Sequence, residues 1–213
     1  MRWTKALRST VSHFARRPLY TLRILMTPLT NAQLKKRWSQ SESLLSEWDG
    51  RTQLIAKLIP NGSKVIEFGA GRMVLKPLLG TNCVYQPSDI VDRGRGTLVL
   101  DLNVDRVVLG CSYSHAVFSG VLEYVRDIAG LIQAISPQVS IIIASYSSTD
   151  AIPDIVIRLQ NGWVSHLSDS DFLNAFIVAG YDVGDAFNWR EQKIYVFRKR
   201  NEAQYSLRSC PCP

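Results

Sequence analysis

The chain contains no apolar run as long as about 18 residues, which excludes a membrane-spanning helix from the reading. Its longest early apolar stretch, residues 19–29, is broken by Arg23 and Pro28 and lacks an obvious cleavage site, so it makes a poor signal peptide. Cysteine is scarce. Cys83 and Cys111 sit in apolar surroundings and read as ordinary buried thiols. Cys210-Pro211-Cys212 matches neither a zinc knuckle nor a redox Cys-x-x-Cys, so no metal site is expected and a tail is the reading. This usage favours a reducing, cytoplasmic compartment. No phosphate loop ending in Gly-Lys-Ser/Thr occurs, and there is no internal repeat or low-complexity tract. Acids are absent from residues 1–41, which hold nine Lys/Arg; the remainder holds 16 basic and 18 acidic residues. The formal charge of +7 therefore belongs to the front segment. A basic balance usually invites a nucleic-acid partner, but the body is nearly neutral, so nucleic acid is disfavoured.

What is present is a 213-residue chain with 46% apolar residues, enough for one domain and an extension. Residues 1–40 form a basic N-terminal extension. Trp3, Leu7, Val11 and Phe14 recur at helical spacing among basic residues. Three readings stay open: a solvated helix packed partly on the body, a peripheral membrane contact through residues 1–40 on an anionic surface, and an Arg/Ser-rich transit peptide. Residues 41–198 form the body and 199–213 a loosely ordered tail.

Within the body, apolar periodicity predicts a helix over 41–59, which Pro60-Asn61-Gly62 ends. Strands follow over 65–68, 83–86, 97–101, 116–122 and 139–144, the last apolar almost throughout, as a strand covered on both faces should be. Helices are predicted over 73–79, limited by Pro77, over 128–135, and from an N-cap at Ser168 to a closing Gly180, with Phe172, Leu173, Phe176 and Ile177 facing inward. Residues 181–186 and 193–197 close the sheet as a hairpin. Alternating strands and helices of this kind predict an α/β fold.

The most informative segment is Glu67-Phe68-Gly69-Ala70-Gly71. A buried strand ends in an acid and runs into Gly-x-Gly, where missing Cβ atoms let the chain turn sharply and a ligand touch the backbone. The dinucleotide fingerprint requires a further glycine at position 74, which is Val74, so NAD loses weight. An acid two residues before Gly69 suits a cofactor with an amino-acid end, whose ammonium it could attract. Asp89 follows Gly71 by 18 residues, near the separation at which an acid reaches ribose hydroxyls. Asp101-Leu102-Asn103 ends the third strand, where an adenine edge could be read, and Ser119 to Asp127 follows the fourth. Four strand ends thus carry small or polar residues pointing one way.

Together these segments resemble a class I S-adenosylmethionine-dependent methyltransferase, over roughly residues 41–198. Glu67 to Gly71 resembles that family's first motif, Asp89 its ribose-binding acid, Asp101-Leu102 its adenine-side motif, Ser119 to Val125 the stretch after strand four, and Ala179-Gly180-Tyr181 the Ala-Gly-Phe before strand six. The resemblance implies a Rossmann-like three-layer sandwich with a seven-stranded, mostly parallel sheet whose last strand is antiparallel. It implies S-adenosyl-L-methionine as cofactor, with Glu67, Gly69, Ala70, Gly71, Asp89, Asp101, Leu102 and Ser119 as its contacts. The chain departs from the pattern at Met73, where many members have a third glycine, and at Tyr124, where a histidine is frequent.

The implied activity is methyl transfer to a small molecule or a glycan precursor. The alternatives are a catalytically inactive scaffold of the same fold and, with less support, an RNA methyltransferase. Alignment and desolvation drive methyl transfer, so no acid–base pair is required. His166, in the loop over 161–166, is the candidate to take an acceptor's hydroxyl proton. Glu123 either lines the pocket mouth or caps the following helix, Trp163 in that loop either stacks on a ring or sugar or packs against the body, and Arg72 either meets a carboxylate of cofactor or substrate or stands solvated.

Overall fold

The computed structural model describes residues 28–40 and 43–200. The helical pattern of Trp3, Leu7, Val11 and Phe14 and the Cys210-Pro211-Cys212 tail lie outside these residues. Among the described residues no helix is long and apolar enough to cross a membrane.

The chain folds into a seven-stranded sheet in the order β3-β2-β1-β4-β5-β7-β6. The strands are β1 Lys64–Phe68, β2 Val84–Asp89, β3 Leu98–Val99, β4 Tyr113–Phe118, β5 Val139–Tyr146, β6 Tyr181–Trp189 and β7 Gln192–Lys199. All neighbours are parallel except β7, which runs antiparallel to both β5 and β6. This is the Rossmann-like arrangement expected from the sequence.

Side-chain alternation explains why both faces are covered. Ile66, Phe68, Ala116, Phe118, Ile142, Tyr195 and Phe197 project to one face and Val65, Val117, Ile143, Ile194 and Val196 to the other. A period of two places apolar residues on both sides only if the whole run is apolar. On the first face lie the helices Ile128–Ile135 and Asp169–Val178; on the second lies Asp49–Ala56. In chain order the helices are α1 Asn31–Ser39, α2 Asp49–Ala56, α3 Ile128–Ile135, α4 Ile155–Gln160 and α5 Asp169–Val178.

Local chemistry sets the helix ends. Asp127 accepts the Gly130 N–H at 2.8 Å to start α3, and Ser168 accepts the Asp171 N–H at 3.1 Å to start α5. Gly180, at φ +90°, closes α5. Helix α1 carries a reciprocal capping box between Thr30 and Gln33. Only Leu34 is buried in it, so apolar periodicity gave no sign of a helix there.

Several expected boundaries shift for identifiable reasons. The helix predicted over 41–59 is a 3₁₀ turn at Ser46–Trp48 followed by α2, because Leu44 and Trp48 turn toward a cleft instead of extending one helical face. The helix predicted over 73–79 shrinks to a 3₁₀ turn at Lys76–Leu78. Met73 is left-handed at φ +56° and Pro77 follows. Strand β4 stops at Phe118, and Gly120 at φ +69° turns the chain. In α5 the buried row is Phe172, Ala175 and Phe176, whereas Ile177 is 43% exposed.

Phe172 is the hub of an aromatic cluster, stacked on Tyr146 at 4.3 Å and tilted against Phe176 at 5.1 Å and Tyr195 at 5.3 Å. Phe172→Ala should destabilise the fold by about 3–5 kcal/mol, read from the urea midpoint at unchanged slope. A loss under about 1 kcal/mol would show that this side is not the main core.

Candidate functional site

The strand register brings the loops of the site to one edge. Phe68 pairs with Ser88 on one side and with Phe118 on the other, and Phe118 with Ala144. The loops leaving β1, β2, β4 and β5 therefore rise at one level. The chain moves outward from β1 through β2 to β3, then returns to β4 on the other flank of β1. Such a reversal opens a crevice at the carboxyl ends of the strands.

A solvent-open cleft of about 780 Å³ lies there, within the usual span of ligand pockets. Gly69, Gly71, Asp89, Asp101, Leu102 and Ser119 line it. An adjoining recess of about 430 Å³ adds Glu67 and Ala70. All eight residues expected at a cofactor thus line two joined spaces. His166 lines neither. Its Nδ1 accepts the Nε–H of Arg158 at 3.1 Å. A neutral ring bonded so carries its proton on Nε2 and has no free nitrogen left to take another. Burial and then Arg158 push its pKa down, so the ring expected as the acceptor-side base stands apart from these spaces as a partner of Arg158.

The glycine turn is built for a close approach. Gly69 and Gly71 lie at φ +66° and +51°. A Cβ on Gly69 would stand 2.4 Å from Cγ2 of Val121. Met73, where the resemblance suggests a third glycine, adopts φ +56° and is buried at 4% exposure. The backbone thus keeps the glycine-like conformation with a side chain packed beneath it. No α-helix follows directly, so the positive helix end that a pyrophosphate would use is missing.

Asp89 staples this turn. Its Oδ2 accepts the Gly71 N–H at 2.8 Å; its Oδ1 accepts from the Val91 N–H at 3.0 Å and Arg93 Nη2 at 3.2 Å. A carboxylate offers about four acceptor sites, so Oδ2 keeps one for a ligand. Asp101 turns to its own loop, where its Oδ1 accepts the Asn103 N–H at 3.0 Å. Asn103 bonds Tyr124 O and the Arg126 N–H, both at 2.8 Å, which ties the loop after β3 to the segment after β4. Arg72 pairs with Asp49.

Glu67 is 3% exposed and accepts the Tyr85 hydroxyl. Burial pushes its carboxyl up to about 8; the Tyr85 bond opposes this, nearby Asp89 adds to it and Arg51 opposes it. Arg51 was not foreseen. It lines both the cleft and the adjoining recess. Its Nε and Nη2 donate to Ser119 Oγ and Ser119 O, each at 3.0 Å, and its Nη1 to Gln192 Oε1 at 2.6 Å. Burial lowers its pKa, against Glu123, Tyr124 and Glu67, but a guanidinium stays charged in proteins.

Trp38 of α1 and Trp48 also wall the main cleft, as does Leu34. Trp38 meets Tyr124 edge-on at 4.9 Å. The capping box at Thr30 and Gln33 was the one sequence signal for α1.

Solved structures share this fold. A protein described as an O-methyltransferase from Nostoc punctiforme superposes with a TM-score of 0.62 at 15% identity, over 76% of this chain and 60% of that one. The mitomycin 7-O-methyltransferase MmcR gives 0.59 at 13%, over 75% and 56%. Magnesium protoporphyrin IX methyltransferase ChlM from Synechocystis, with bound SAH (S-adenosylhomocysteine), gives 0.51 at 13%, over 85% and 94%. The chain spans less than two thirds of the first two proteins' length. At such identities the likeness establishes the class I methyltransferase fold. No protein-family model matches the chain, and no curated protein matches it by sequence.

Left-handed backbone and contact with Val121 together predict that Gly69→Ala loses about 1–2 kcal/mol or more. Adding Val121→Ala should return part of that loss in a double-mutant cycle. Strict additivity of the two losses would place the turn elsewhere.

Proposed function

We propose that the protein is an S-adenosylmethionine-dependent methyltransferase acting on a small-molecule acceptor. The observation that supports this most is the joining of the Gly69–Gly71 turn to a buried acid and a buried cation in one crevice. Glu67 and Arg51 both line the recess beside Gly71. They would hold the ammonium and carboxylate of an amino-acid end. The Cβ-free turn would take backbone contact, Asp89 one ribose hydroxyl, and the loop Asp101-Leu102-Asn103 the adenine edge. Bound there, the cofactor supplies an activated methyl group.

The chain's own residues align the partners and exclude water. Trp38, Trp48 and Leu34 cover the crevice from the N-terminal side, and Val121 and Val125 form part of its wall. Desolvation of this kind favours transfer from a charged sulfonium to a less charged product. The structural neighbours, all named as methyltransferases, agree with the reading.

The sign of the pH dependence follows from Glu67. Without ligand its carboxyl holds a proton up to about pH 8. An incoming ammonium favours the carboxylate, so binding at pH 7 should release a proton, and affinity should rise between pH 6 and about 8. Calorimetry with S-adenosylmethionine and S-adenosylhomocysteine, in buffers of different ionisation enthalpy, checks this. Glu67→Gln should abolish the proton release and weaken binding about tenfold or more. Gly69→Val should abolish binding. Affinity unchanged in both variants, or no binding of either compound by the folded protein, would overturn the proposal.

A further inference from the structure

Beside the cofactor crevice lies a second cleft of about 730 Å³ that shares Trp38, Trp48, Arg51, Gly120 and Tyr124 with it. Its composition is unusual. Four of the five tryptophans in the chain, Trp38, Trp48, Trp163 and Trp189, line it. They come from four separate segments, so no local repeat explains the gathering. Indole faces offer flat apolar platforms at a low entropy cost.

Two cations besides Arg51 stand at the same cleft. Arg37 stacks on Trp38 at 5.5 Å and Arg190 on Trp189 at 4.9 Å. Among the described residues no carboxylate pairs with either. Glu191 also lines the cleft, but on an exposed position.

The third feature is an orphaned carboxylate oxygen. Glu123 is 1% exposed. Its Oε1 accepts the Ser147 N–H at 2.9 Å and Gln192 Nε2 at 2.8 Å. Among the described residues its Oε2 has no hydrogen-bond partner. A helix-capping role is excluded, because Asp127 caps α3. A buried acceptor left empty is costly and calls for an explanation. Burial also holds the Glu123 carboxyl above the usual range, against its own backbone N–H, Arg51, Ser147 and Gln192. A carboxyl raised by burial is a stronger base toward a neighbouring hydroxyl than an ordinary carboxylate.

Building on the cofactor reading above, we propose that this cleft is the acceptor subsite, that it takes a hydroxylated ring bearing a carboxylate or phosphate, and that Glu123 Oε2 receives the hydroxyl proton. The ring stacks on the indoles and its anion faces Arg37 and Arg190. The acceptor oxygen forms a bond to the methyl carbon as the carbon–sulfur bond breaks, its electron pair staying on sulfur. The hydroxyl proton passes to Oε2, so the products are a methyl ether, a neutral thioether and a protonated Glu123. Gln192 and Ser147 hold Oε1 and so aim Oε2.

The test uses the full chain, ¹⁵N-labelled and saturated with S-adenosylhomocysteine. The tryptophan indole N–H signals are followed during titration with two anionic rings, 4-hydroxybenzoate and glucose 1-phosphate, and with their neutral counterparts, phenol and methyl glucoside. At least one anionic ring should bind about tenfold or more tightly than its counterpart, and which one binds separates an aromatic from a sugar acceptor. Arg37→Ala and Arg190→Ala should remove that preference. Equal binding of the neutral rings, or no response to either anionic ring, overturns the inference. Backbone signals of the glycine turn report S-adenosylhomocysteine in the same samples, so failure of the cofactor site is seen separately. Glu123→Gln should lower methyl transfer to the bound ring about 100-fold or more while its affinity changes less than about threefold. Undiminished transfer would remove the proton from Glu123.

Discussion

The guanidinium of Arg51 is the joint on which the site depends. From α2 it grips the end of β4 through both the side chain and the backbone of Ser119, and the start of β7 through Gln192. It also lies over the Trp189 ring at 5.4 Å. Three elements that are distant in sequence meet at one planar, five-donor group. Its geometry leaves little choice of where the loop after β4 can run. Gly120 follows from this, since a Cβ there would stand 2.4 Å from the Arg51 terminal nitrogens.

This cation also organises the charges. Glu67 and Glu123 are both deeply buried, and burial raises both carboxyls. Arg51 opposes the rise in each case, so it sits electrically between them. One acid faces the glycine turn and the other the tryptophan-lined cleft. A single buried positive charge thereby serves two neighbouring spaces whose ligands, on the proposed function, must meet. The wall of the second space is held by another buried arginine. Arg158, fully buried, donates to the carbonyls of Ser147, Ser148 and Ser165 at 2.9 Å and lies over Trp163 at 5.0 Å.

Much of the fold was legible because it is written in local terms. The apolar runs of β1, β4 and β5 need cover on both faces, and that requirement alone implies a layered α/β sheet. The α5 cap was visible as Ser168, whereas α3 is capped by Asp127, a role that the sequence leaves open to Glu123. Glycine spacing and the acid at Glu67 located the crevice. Illegible were α1, with one buried residue, and α4, six residues long, capped by Asp154. Neither carries enough periodicity to be seen. His166 misled because a histidine in a loop before a helix reads as free, whereas Arg158 already holds its Nδ1.

Backbone sterics act within a few residues, so the local chain alone dictates a strand that ends in Glu67 and turns through Gly69 and Gly71. Short apolar runs likewise marked the seven strands in their order along the chain. Folding of the whole chain, and no local pattern, lets Arg51 reach Ser119, 68 residues on, and Gln192, 141 residues on. It alone gathered four tryptophans around one cleft and left Glu123 Oε2 unpartnered among the described residues beside them. Those outcomes depend on which strands become neighbours, and pairing across the sheet is fixed by burial of the whole core, not by any local pattern.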